Sequence, residues 1–268
     1  MSEVQKAFAI GAHPDDIEFS MAGTLSLLAK AGFEPHMMNV SWSNLDSNEM
    51  PQHEIVPMRL REATNAAQVI GAVYHQPFAS DLLILYEEKL LRQMLAVIRE
   101  VRPTIVLLPS LTDYMEDHTN TARLVVTACF SRAMRHFVSD PPREITDQDV
   151  YLYHAQPHLN RDGMRNFILP DLMVNISEEM DTKLKMLACH ESQREWLGDT
   201  QGMDNYLESM RQAGKELAET LESHQWACAE GFRQHSHFGF SQHDRNPLAE
   251  VLGDNVLVNP SFRARHDG

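Results

Sequence analysis

Cysteine is scarce in this chain. The 268 residues include three, Cys129, Cys189 and Cys228, far apart and never in a C-x-x-C pair. That excludes a disulfide framework and a cysteine zinc site, and buried free thiols in a reducing compartment are the reading that remains. Basic charge is also in deficit: 23 Lys and Arg stand against 38 Asp and Glu, a formal net charge of -15. Without a Lys/Arg run to meet phosphates, nucleic-acid binding is set aside as the main task. No apolar run is long enough to span a bilayer. The opening MSEVQK leads into the first apolar run without a basic region, a hydrophobic stretch and a cleavage site, so a soluble cytoplasmic protein is expected. Neither G-x-G-x-x-G nor a P-loop lysine motif is present, which weakens a nucleotide-binding module.

What the chain does have is 43% hydrophobic residues, enough for a sizeable core. Lys6 to Ala12 reads as a buried parallel strand. Met21, Ala22, Leu25 and Leu28 give Ser20 to Ala31 a helical face, closed by Gly32. Met37 to Trp42 reads as a second strand, followed by a polar segment from Ser43 to Pro57, too long for an ordinary turn and a candidate substrate loop. Helices are predicted over Met58 to Ile70, Glu87 to Val101 and Thr119 to His136, with strands at Ala72 to His75 and Thr104 to Pro109. In the less regular second half, strands are predicted at Val150 to His154 and Leu172 to Ile176. Helices follow at Thr182 to Cys189 and Asp204 to Ser223, and the segment from Gln234 onward reads as a packed or flexible tail. Strands alternating with helices predict an α/β fold, a Rossmann-like, mostly parallel sheet with helices on both faces. The simplest organisation is one domain over residues 1–268 with an elaborated C-terminal part from about residue 150.

Two polar clusters follow predicted strands. His13, Asp15 and Asp16 come after the first; Asp113, Tyr114, Asp117 and His118 come after TIVLLP. Ligands of open parallel sheets bind outside the carboxyl ends of the strands, so the clusters are expected to meet despite their separation in sequence. Two histidines and a carboxylate are a usual ligand set for a catalytic zinc, leaving one position for water. Adjacent side chains in His-Pro-Asp-Asp point in different directions, so one carboxylate can bind metal while its neighbour faces the water. Pro14 disfavours helix at His13 and holds the turn. The plainer reading of each cluster is a turn, with Asp15 or Asp16 capping the next helix.

The stretch AHPDDIEFSMAGTL closely resembles the first motif of the PIG-L/LmbE-like zinc-dependent deacetylases, which remove acetyl groups from N-acetylglucosamine-type amines. RLREATNAAQVIG, DYMEDHTNTARLV, NISEEMDTKLKMLACHESQ and AEGFR resemble later motifs of the same family, in order. By position, the resemblance implies His13, Asp16 and His118 as ligands of one Zn2+ per chain, with Asp15 as the general base. Fe(II), Co(II) or Ni(II) suits such ligands equally. It implies a substrate contact at Arg59, with Arg61 on a solvated helix face, and an acidic residue near the sugar at Asp81. Homo-oligomers up to hexamers are known in the family. The implied partner is a small N-acetylated sugar or amide, with no nucleic acid and no membrane.

Two positions depart from the pattern. The family's second motif usually reads His-Pro-Asp-His, and Met115 stands where the first His belongs. That histidine stabilises the oxyanion or protonates the leaving amine, and methionine can do neither. Tyr114, His190 and His154 are candidates for the role, and Asp15 returning its proton is another route. The loop after the second strand carries Trp42, which either stacks on a sugar or packs beneath the loop. Deacetylation of an N-acetylated amino sugar is the leading expectation. Hydrolysis of another amide or thiol-conjugate, or metal binding with lost or altered activity, are the alternatives.

Overall fold

The first apolar run forms β1, Lys6–Gly11, in a computed structural model that describes residues 4–45, 47, 50–193, 206–221 and 226–259. Its alternate side chains enter two cores. Ala7 and Ala9 face one, Phe8 and Ile10 the other, as a strand covered on both sides requires. The chain continues through α1 (Asp16–Ser20), α2 (Ala22–Lys30), β2 (Glu34–Asn39), α3 (Gln52–Val69), β3 (Val73–His75), α4 (Glu88–Val101), β4 (Ile105–Leu108) and α5 (Glu116–Ser131). Then follow β5 (Tyr151–Ala155), β6 (Leu172–Asn175), α6 (Met180–Leu187), α7 (Tyr206–Glu219), β7 (Ala229–Gln234), α8 (Pro247–Leu252) and β8 (Val256–Val258).

One eight-stranded sheet runs in the order β3-β2-β1-β4-β5-β7-β6-β8. Pairing is parallel from β3 to β5 and antiparallel from there to β8. Helices cover both faces: Leu25, Ala66, Met186, Met210 and Leu248 pack on one, and Met94, Ile98, Leu124 and Val125 on the other. This is the mostly parallel, Rossmann-like arrangement predicted from the alternation of elements. After β1 the chain winds outward to β3, then returns to place β4 on the other side of β1. The carboxyl ends of β1 and β4 therefore flank the switch point where such sheets bind ligands. Among the described residues no helix is long and apolar enough to cross a membrane.

Several boundaries differ from expectation. The helix expected from Ser20 starts at Asp16 and breaks at Met21, where φ is -138°. The second strand lies at Glu34–Asn39, shifted three residues toward the N-terminus from the expected Met37–Trp42. The end of the polar loop is the first turns of α3, which runs through Pro57. The helix expected from Thr119 begins at Glu116, so His118 is in its first turn. The tail after Gln234 contains α8 and β8. AEGFRQ forms a full strand although Glu230 interrupts its apolar run; that carboxylate is 2% exposed and paired with Lys183 at 2.5 Å.

Candidate metal centre

The turn after β1 is built around Asp16. Its Oδ2 accepts hydrogen bonds of 2.8 Å from the backbone N–H groups of Ala12 and His13. Asn39, at the end of β2, donates to the His13 carbonyl at 2.5 Å and accepts from the Tyr74 hydroxyl at 3.0 Å. Gly11 makes the close approach possible: a Cβ there would meet Asn39 Nδ2 and the Asp16 Cβ at 2.9 Å.

At the neighbouring strand end, the first turn of α5 brings His118 to within 3.4 Å of Asp16 Oδ1 through its Nε2. Ligand atoms of His13, Asp16 and His118 all lie within 4.8 Å of one another. Each imidazole has its other nitrogen held by a carboxylate: Asp117 lies 3.0 Å from His13 Nε2, and Asp113 3.0 Å from His118 Nδ1. Such carboxylate–histidine pairs fix the ring and raise its basicity toward a metal. They leave His13 Nδ1 and His118 Nε2 for an ion. Asp81 adds further negative charge 3.8 Å from His13. Burial works against a proton on His13, yet the Asp117 hydrogen bond and the Asp16 and Asp81 charges push its pKa up to about 9. Burial likewise opposes a charge on His118, and Asp16 and Asp113 overcome it. Asp16 moves the other way: desolvation is outweighed by both histidines and two backbone donors, which hold it low. A buried carboxylate-rich pocket that binds protons this avidly, with two oriented imidazoles, fits a divalent transition metal.

Asp15 sits between the ligands in sequence with φ of 108°, a left-handed conformation that costs a non-glycine residue energy. Its carboxylate is met by Tyr206, the first residue of α7, whose hydroxyl donates to Asp15 Oδ2. Burial, then the Asp16 charge, push the Asp15 carboxyl up to about 7, with His190 and the Tyr206 hydroxyl pulling back. A carboxylate with that proton affinity suits proton transfer near neutrality.

The remaining residues singled out by sequence are dispersed around this centre. Tyr114 stands at the mouth, 60% exposed, its ring edge-on to His118 at 5.6 Å. His190 is buried behind Asp15, with Nε2 3.4 Å from Glu18 Oε1, an electrostatic contact rather than a good hydrogen bond. Burial opposes its charge, while Glu18, Asp15 and Glu62 favour it. Asp81 is buried behind His13, accepting from the Ser41 hydroxyl and, at 2.9 Å, from the Leu45 N–H. Arg59 is wholly buried in α3, and Arg61 is exposed as expected. Glu62 of the same helix accepts the Ser192 hydroxyl at 2.6 Å, tying the RLREATN segment to CHESQ. Trp42 is half-buried and its backbone N–H donates to the Ala79 carbonyl. His154 is occupied at both nitrogens, by the Pro109 carbonyl at 2.9 Å and His235 at 3.0 Å.

Sequence reasoning missed Tyr206 and His158. No local signal marks Tyr206 as a partner of Asp15, which is 191 positions away. His158, in QPHLN, follows a predicted strand end as the other clusters do, and that placement was a usable clue. It lines one cavity with Asp16, Ser110, Asp113, His118 and Gln156.

Residues 8–129 match the PIG-L family, described as GlcNAc-PI de-N-acetylase. The chain is 26% identical over 199 residues to a diacetylchitobiose deacetylase of Thermococcus kodakarensis, covering 72% of this chain and 71% of that protein. It is 28% identical over 203 residues to a probable N-acetyl-alpha-D-glucosaminyl L-malate deacetylase 2 of Bacillus cereus, covering 68% and 81%. The crystal structure of GalB, the 4-carboxy-2-hydroxymuconate hydratase of Pseudomonas putida, shares the fold with a TM-score of 0.72 at 20% identity, over 91% of this chain and 99% of that one. The first motif, the strand-end geometry and these relatives agree in likening the chain, over residues 8–129 above all, to the PIG-L deacetylases.

Proposed function

We propose that the protein is a zinc-dependent amidohydrolase that removes the acetyl group from an N-acetylglucosamine-type amine or its conjugate. The observation that carries this reading is Asp15: a buried carboxylate beside the metal triad, with a pKa near 7 and one oxygen fixed by Tyr206. His13, Asp16 and His118 would hold the ion. Bound there, a divalent metal supplies Lewis acidity toward a carbonyl and lowers the pKa of water. Asp15 Oδ1 takes a proton from the attacking water as the new C–O bond forms. When the C–N bond breaks, its electron pair goes to nitrogen, and Asp15 returns the proton there, leaving acetate and the free amine. His190 is a positioning residue behind Asp15. Asp117, Asp113 and Asp81 orient the imidazoles, and Tyr114 faces the substrate at the mouth. Arg59 and Trp42 are the substrate contacts of this reading.

The test is acetate release by the zinc-loaded protein from N-acetylglucosamine, its glycosides and N,N'-diacetylchitobiose. Turnover on none of them, with metal retained, would sink the reading. Met115 favours a second reading, because the histidine expected to serve the tetrahedral intermediate is absent and one protein of this fold is a hydratase. Water addition to an unsaturated carboxylic acid, followed by loss of its ultraviolet absorbance, belongs in the same panel. Assembly as a homo-oligomer such as a hexamer and a cytoplasmic location complete the proposal. Exposed Leu82, Leu83 and Leu85 beside the site support the assembly, and light scattering of the purified chain tests it.

A further inference from the structure

Position 115 offers the reaction no donor. Met115 caps the start of α5, and its N–H is taken by Asp113 Oδ1 at 3.1 Å. The imidazoles near the centre differ in what they can reach. His154 has both nitrogens engaged. His190 is 1% exposed, behind Asp15 and outside the cavity. His158 lines the cavity itself together with Asp16 and His118.

The turn that carries His158 is built to hold it. β5 pairs in parallel with β4, so the 3-10 turn His158–Asn160 leaves β5 on the same edge as the metal ligands. Leu159 and Asn160 both adopt left-handed backbone, with φ of 52° and 61°. Non-glycine residues persist there only when their surroundings hold them. Asn160 is held by Nδ2 donating to the Ala213 carbonyl and to Glu216 Oε2 of α7, each at 3.0 Å. The His158 ring lies against Phe19 of α1 at 4.6 Å between centroids and against Tyr114 at 5.9 Å. Neither ring nitrogen is in a hydrogen bond among the described residues.

We propose that His158 is a catalytic residue that donates a hydrogen bond to the oxyanion of the tetrahedral intermediate, from the end of β5 instead of from position 115. This rests on the amide-hydrolysis reading above. The imidazole acts as a neutral donor and exchanges no proton: one N–H points to the oxygen that gains the carbonyl electron pair, while Asp15 carries the proton from water to nitrogen. Burial lowers the proton affinity of His158, and the nearby His118 lowers it further against the pull of Asp16 and Asp113. A neutral imidazole still has one N–H to give.

The test compares the zinc-loaded wild type with His158→Ala and His158→Gln. The probe is a methylphosphonamidate of glucosamine, which places a tetrahedral oxyanion at the acetyl position. His158→Ala is expected to lower kcat about 100-fold or more, the usual loss of one oxyanion donor, with zinc per chain unchanged. It should weaken the phosphonamidate by a similar factor and leave glucosamine binding unaltered. His158→Gln, which restores an N–H, should recover part of both losses. Equal kcat in wild type and His158→Ala, or a kcat loss without weaker phosphonamidate binding, would overturn the assignment. A wild type that releases no acetate, yet binds the phosphonamidate through His158, would sink the deacetylase reading and keep the donor.

Discussion

Asp113 Oδ1 lies 3.0 Å from His118 Nδ1 and also accepts the backbone N–H of Met115. One carboxylate thus sets the ring of a proposed metal ligand and the backbone of the residue that departs from the family pattern. Asp113→Ala is expected to weaken zinc about 10- to 100-fold, the usual cost of losing such a support. Competition with a chromophoric chelator measures it, and an unchanged dissociation constant would remove Asp113 from the site.

Asp15 and the three ligands separate chemistry from metal binding. Asp15→Ala should keep its zinc and lose turnover by about 100- to 10,000-fold, the range of general base catalysis. Tyr206→Phe removes only the clamp on Asp15 Oδ2. It should keep zinc and lose less turnover than Asp15→Ala. A Tyr206→Phe defect as deep as that of Asp15→Ala would make the phenol a reacting group.

The ion pair of Lys183 and Glu230 is 2% exposed on both sides, and Glu230 also accepts the N–H groups of Gly23 and Thr24 at the start of α2. Removing one partner strands the other charge in the core. Lys183→Met is expected to cost about 3–5 kcal/mol in denaturant unfolding. A midpoint close to wild type would mean that Glu230 is relieved by protonation.

Acid should destabilise the fold through two buried imidazoles. Burial, aided by His235, pushes His154 down to about 4, the Pro109 hydrogen bond notwithstanding; burial and then His36 push His75 to about 4. The unfolded chain takes up these protons near pH 6.5, so this stability is complete above pH 6.5 and is lost as pH falls toward 4. Urea midpoints at pH 7.5 and 5.0 measure the difference. His154→Gln should narrow it, and an unaltered gap in that variant would assign the loss elsewhere.

Local periodicity made β1, β4 and the stripe of α4 legible, because a buried strand and an amphipathic helix each state their own surroundings. The meeting of His13, Asp16 and His118 was legible for a related reason: these residues lie just past strands whose relative order follows from the alternation. Tyr206, His158 and Glu230 were not, since each acts through a partner on a distant element. Glu230, whose buried carboxylate serves α2 and α6, breaks the apolar pattern of β7, so that strand was legible through the resemblance of AEGFR to a late family strand motif and not through periodicity. The boundary of α3 moved because the helix continues through Pro57, beyond its first turn, and that of α5 because Glu116 and Asp117 open its first turn.

The 191 positions between Asp15 and Tyr206 impose an order on maturation. All three ligands are in place once β1, β4 and α5 have come together, whereas the clamp on Asp15 waits for α7. Contacts this remote in sequence form late in folding. On the proposed roles, a chain emerging from synthesis would gather its three candidate ligands before α7 arrives to steady Asp15.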